Sequence, residues 1–164
     1  MFPVHVKIHP VIKEYYLSIY GSDTIEVSNN SSFGLRVRNI LQLPPGMYKK
    51  CSIKNPTILT FMVPDSFAKD KKGNTIKTKF KGYLDDRRQY FLSLQLILDF
   101  RLIFHNAMLG YCRASRWEPG CQKTAIYSFC DTYKIAMNKV NYAMLKKSWD
   151  RSQEKKRKQI NFSV

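Results

Sequence analysis

Acidic residues are scarce in this chain: 12 Asp and Glu stand against 28 Lys and Arg, a formal net charge of +16. Such a balance points to a polyanionic partner, because it sets what the surface attracts and leaves the choice of fold open. Groups with catalytic or metal-binding chemistry are few as well. The four cysteines, Cys51, Cys112, Cys121 and Cys130, include no close-spaced pair of the kind structural zinc sites use. The nine-residue steps between the last three match no ligand pattern, so free, half-buried thiols in a reducing compartment are expected. No glycine-rich phosphate loop follows a strand, no histidine pair has metal-binding helical spacing, and no serine stands in a nucleophile elbow. Asp85 and Asp86 are adjacent acids at a helix start, where capping is their ordinary role. The expectation is a protein that is not an enzyme, with no cofactor, metal or small-molecule substrate. Residues 1–10 alternate instead of forming an apolar run, which argues against a signal peptide and for a cytoplasmic protein.

What the chain does have is one long apolar stretch. Residues 85–115 read as a single, mostly buried helix, opened by Asp85 and Asp86 at the positive end of its dipole and closed by Gly110, Arg113 and Arg116. Apolar residues surround most of its axis, and only Arg88, Gln95, Asp99, Asn106 and Arg113 form a narrow polar stripe. A helix so apolar needs cover on several sides, as the core of one chain or in part as the seam of a homodimer. Its length would suit a membrane span, but Asp99, Arg101, His105 and Asn106 at its middle argue against one.

Ahead of this helix, Val4, Val6 and Ile8 alternate with His5, Lys7 and His9, the period of a strand with one buried face. The two histidines read as surface residues on its outer side. Pro10 opens a short amphipathic helix with Val11, Ile12, Tyr15, Tyr16 and Ile19, stopped by Gly21. Ser31 or Ser32 caps a second helix, residues 33–43, halted by Pro44, Pro45 and Gly46. Its Arg36 and Arg38 are either solvated or in contact with phosphate. Residues 57–63 and 75–80 read as the strands of an antiparallel hairpin around a basic turn at 69–74. The lysines of that hairpin, Lys71, Lys72, Lys77 and Lys79, either follow a nucleic-acid backbone or blunt a sheet edge against aggregation.

Charge is densest at the C-terminal end, where residues 134–164 hold 9 Lys and Arg against 2 acids. After a break at residues 117–120, a helix over 122–133 turns Ala125, Ile126, Phe129, Cys130 and Tyr133 inward. Residues 134–140 form a turn anchored by Ile135 and Val140, and Asn141 caps a last helix running to about Lys158. Tyr142, Leu145 and Trp149 share its docking face. Asn141, Met144, Lys147, Ser148, Arg151, Lys155 and Lys158 are the candidate nucleic-acid contacts, since an apolar face can dock such a helix while cations meet phosphates and base edges. The runs AIYSFCDTYKI, from Ala125 to Ile135, and VNYAMLKKSWDR, from Val140 to Arg151, resemble the C-terminal helix-turn-helix of small basic proteins from bacteriophages and mobile elements. Among such proteins these runs resemble the Mor-type transcription activators, although the turn here lacks the glycine that many such motifs carry. The resemblance covers the last quarter of the chain and implies a dimeric DNA-binding protein that carries residues 141–155 into the groove.

The expected fold is therefore α+β. Residues 1–116 would form an α+β core with a β-hairpin and short helices packed on the long central helix 85–115, residues 121–158 a helix-turn-helix, and 159–164 a disordered tail. The expected function is duplex DNA binding by the last helix, in transcription regulation of a phage or mobile element, in the host cytoplasm if phage-encoded. A homodimer through the central helix fits this reading. The alternatives are an RNA-binding protein, a phage structural or packaging component, and a protein-interaction module. Tyr15, Tyr16 and Phe33 fall at apolar positions and read as core, not as base-stacking platforms.

Overall fold

The computed structural model describes residues 1–28, 30–48, 53, 55–64, 68–69, 75–76 and 84–161, with side chains described for all of these except 68–69, 75–76 and 155–161. The chain is mixed α+β. It divides into two compact units, Met1–Ile97 and Leu98–Val164, whose boundary falls inside the longest helix; the sequence reading divides the chain after residue 116.

The first unit is built on three strands, β1 (Phe2–Ile8), β2 (Thr24–Glu26) and β3 (Thr57–Val63), with β3 in the middle. Strict alternation along β1 turns Phe2, Val4, Val6 and Ile8 inward, opposite Val63, Phe61, Leu59 and Thr57. Ile25 sits level with Phe61 on the parallel side and is buried with it. Helix α1 (Pro10–Tyr20) adds Val11, Ile12, Tyr15 and Tyr16 to the core, and α2 (Ser32–Leu41) adds Val37 and Leu41. Proline suits the first turn of α1, where its missing N–H would have no partner, and Gly21 ends the helix at φ +68. His9 is not an outward strand residue beside His5. It caps α1, its Nδ1 accepting the Val11 N–H at 3.3 Å, and burial lowers its pKa, which favours the neutral ring that can accept. Ser31 caps α2 through the Gly34 N–H at 2.9 Å. A Cβ on Gly34 would stand 1.8 Å from the Ser28 carbonyl oxygen, so the loop before α2 requires glycine there.

Of the expected hairpin between residues 57–63 and 75–80, only Thr75–Ile76 of the second strand lies among the described residues. Strand β1 pairs along the whole of one edge of β3, and β2 pairs with Thr60–Met62 on the other. Thr75–Ile76 (β5) pairs instead with Ala68–Lys69 (β4) as a separate antiparallel ribbon. Lys71, Lys72, Lys77 and Lys79 lie outside the described residues.

Helix α3 (Asp86–Ala114) passes from one unit into the other. Asp85 caps it, accepting the Arg88 N–H at 3.0 Å and pairing with the Arg88 guanidinium at 2.9 Å, which also donates to the Leu43 carbonyl at 2.8 Å. The buried Ser93 hydroxyl donates to the Lys7 carbonyl at 2.8 Å and so fastens the helix to the edge strand β1. Contrary to expectation, α3 is not mostly buried. Leu92, Leu96, Phe100, Phe104, Met108 and Cys112 make one covered line in four-residue steps, while Leu98, Leu102, Ile103 and Tyr111 are exposed. Four-residue steps follow a ridge inclined to the helix axis, so packing fully covers a narrow spiral and leaves the rest half-buried or exposed. By length and composition alone α3 could cross a membrane, yet Asp99, Arg101, His105 and Asn106 interrupt its middle. Gly110 lies within the helix. The residue that ends it is Arg116 at φ +50, where Trp117 N–H bonds the Cys112 carbonyl at 2.8 Å and Arg116 N–H the Arg113 carbonyl at 3.0 Å.

The second unit joins the later part of α3 to α4 (Cys121–Thr132) and α5 (Lys139–Asn161). Phe129 of α4 stands edge-on to Phe100 at 6.0 Å and to Phe104 at 5.0 Å. Helix α4 closes as α3 does: Ile135 N–H bonds the Cys130 carbonyl at 2.8 Å, Lys134 N–H the Asp131 carbonyl at 3.2 Å, and Lys134 takes φ +50. Lys134 thus fills the left-handed position where glycine is usual. Ile135 anchors the turn as expected; Val140 does not, being 70% exposed. Backbone helix continues to Asn161, past the expected end near Lys158, and residues 162–164 lie outside the described ones. Cys112, Cys121 and Cys130 are buried where half-burial was expected.

Candidate nucleic-acid interface

The start of α5 decides which of its residues face outward. Asn138, not Asn141, caps the helix, its Oδ1 accepting the Asn141 N–H at 2.8 Å. Asn141 is buried and its amide donates to the Ala136 carbonyl at 2.7 Å, which ties down the α4–α5 connection and removes Asn141 from the candidate contacts. Leu145 and Trp149 are buried as expected, whereas Tyr142, expected beside them, is only half-buried; the Trp149 ring stands edge-on to His105 of α3 at 6.0 Å. The Ser148 hydroxyl is 3.2 Å from His105 Nε2, so Ser148 also belongs to the docking side. Met144 is half-buried at the margin. An apolar helix stripe spans roughly 100° or more, wide enough to take in positions beside the Leu145 and Trp149 line that spacing alone had put outside.

Lys147 and Arg151 are exposed. With Tyr142, Ala143, Lys146, Asp150 and Glu154 they line an open depression of about 480 Å³ on the outer side of α5. Lys146 Nζ lies 2.6 Å from Asp150 Oδ2, and this hydrogen bond raises the lysine pKa. Three cations face two acids here, so the field of the depression itself is modest. The larger excess follows along the sequence at Lys155, Lys156, Arg157 and Lys158; of these, the candidates Lys155 and Lys158 are in helical backbone without described side chains.

Sequence reading missed two neighbours on α4. Tyr127 is 46% exposed with its ring 6.1 Å from that of Tyr142, and Lys123 Nζ lies 5.9 Å over the Tyr127 ring. This aromatic and basic strip extends the α5 surface onto α4. The signal was present: Lys123 and Tyr127 are four residues apart and fall outside the inward set Ala125, Ile126, Phe129 and Cys130. Among the described residues no group of three or more His, Cys, Asp or Glu is placed to hold a metal. No family model, curated protein or solved structure matches the chain. The functional reading of this surface therefore comes from its residues.

Proposed function

We propose that the chain binds duplex DNA with the exposed face of α5, α4 and α5 acting together as a helix-turn-helix. The observation that carries this is the division of α5 into a docked face, Leu145 and Trp149, and an open face where Lys147 and Arg151 lie beside Tyr142. A rigid helix held from behind and cationic in front suits the major groove. The six residues between α4 and α5 exceed the three or four of the compact motif, which makes this a longer-turn form. The resemblance to Mor-type activators supports DNA over RNA, and the regulatory role at a phage or mobile element rests on that resemblance. On this reading the protein acts in the cytoplasm, that of the host if phage-encoded. A gel-shift series with duplex DNA, single-stranded DNA and structured RNA, repeated across salt concentrations, is the test. Duplex should bind tightest, with log K falling against log salt by about 0.9 for each phosphate neutralised. Binding indifferent to salt would overturn the reading in favour of a protein-interaction module, and preference for RNA would replace DNA as the partner.

A homodimer accompanies this proposal because Leu98, Leu102 and Ile103 are 48%, 60% and 39% exposed on α3. A second copy would cover them and present two recognition helices. Sedimentation at about tens of micromolar, where a weak but real interface is populated, should show a dimer. A monomer at that concentration would leave the apolar residues of α3 without this role.

A further inference from the structure

We propose that Cys112 and Cys121 are a redox modification site, a dithiol that an oxidant of the peroxide class closes into an intramolecular disulfide between the end of α3 and the start of α4. Their sulfurs are 3.4 Å apart, and both thiols are free and buried. The intervening eight residues are held against the cysteines' own backbone: Trp117 N–H bonds the Cys112 carbonyl at 2.8 Å, and Cys121 N–H bonds the Glu118 carbonyl at 3.0 Å. Arg116 and Trp117 are consecutive non-glycine residues at φ +50 and +59, a conformation that persists only where surrounding bonds enforce it. The sulfur positions are thus consequences of a specified turn. A disulfide needs the sulfurs at about 2.05 Å, so about 1.4 Å of approach remains, the scale of side-chain rotation.

Cys121 is 8% exposed and Cys112 wholly buried, so Cys121 meets the oxidant. Its thiolate attacks one oxygen of hydrogen peroxide, the O–O bond breaks, and hydroxide leaves as Cys121 becomes a sulfenic acid. The Cys112 sulfur then attacks the Cys121 sulfur; the S–O bond breaks, the S–S bond forms, and the departing hydroxide takes up the Cys112 proton. In sum, two thiols and one peroxide give one disulfide and two waters, with two electrons passing from sulfur to oxygen. Burial and the contact with Cys121 push the Cys112 thiol up to about 11, which leaves little thiolate there to start the reaction.

The test treats the full chain with hydrogen peroxide, blocks remaining thiols with an alkylating reagent and maps the peptides. The expected product is about 2 Da lighter and carries a Cys112–Cys121 link. Its melting temperature should rise by about 5–10 °C and return on reduction with dithiothreitol. Cys130→Ser should keep the link, and Cys121→Ser should abolish it with Cys112 left open to alkylation on unfolding. A disulfide through Cys51 or Cys130, an intermolecular link alone, or two sulfinic acids without a bridge would each overturn the proposal. Because the readout is covalent, it stands apart from any result on DNA binding.

Discussion

Replacing Trp149 with alanine is expected to cost about 3–5 kcal/mol, the range for deleting a large buried aromatic side chain. Trp149 is 1% exposed, and with Leu145 it forms the buried face by which α5 is held. The loss combines the transfer free energy of the ring with the cavity left beside His105. Whole domains are stable by only about 5–15 kcal/mol, so this change removes a large share of the margin and releases α5. A second variant isolates the cause. The buried indole Nε1 has no hydrogen-bond partner among the described residues, so Trp149→Phe deletes a donor that contributes no bond and keeps most of the apolar volume. Urea denaturation followed by circular dichroism should place Trp149→Phe close to the parent and Trp149→Ala far below it. Equal damage from both would mean that the indole N–H is bonded in solution. Parental stability in the alanine variant would mean that α5 is not held by this face.

The Lys147→Ala, Arg151→Ala double variant should fold like the parent and bind duplex DNA far more weakly. Both residues are exposed, where substitutions ordinarily change stability by no more than about 0.5 kcal/mol. If both contact phosphate, the salt slope should fall by about two and all sequences should weaken alike. If Arg151 reads a base edge, about 1–3 kcal/mol of discrimination should disappear at one position of the site. Equilibrium binding by fluorescence anisotropy at several salt concentrations separates these outcomes. A double variant that folds and binds DNA as the parent does would move the contact surface off this part of α5. The same titration with Tyr127→Ala reports whether the strip on α4 takes part.

Local pattern determined most of the individual elements. Alternation around Val4, Val6 and Ile8 specifies β1, and Pro10 with Gly21 bounds α1 at both ends. Ser31 starts α2, the β-branched run 57–63 makes β3, and the span of α3 follows from its apolar length and the acids at its head. These signals lie within a few residues of the structure they specify. The mixed α+β class follows from them. Pairing does not, because a strand's partner depends on which edges remain free. The three residues of β2 carry too little pattern to announce that they would pair with Thr60–Met62 on the second side of β3. Exposure on α3 and α5 was likewise a tertiary outcome. Leu98 and Leu102 are as apolar as Leu92 and Leu96, yet only the latter pair lies under other chain. Asn141 and Ser148 are polar, but Ala136 and His105 stand where they can bond them inward. Hydrophobicity and period state which residues can be buried; only the position of neighbouring elements decides which of them are.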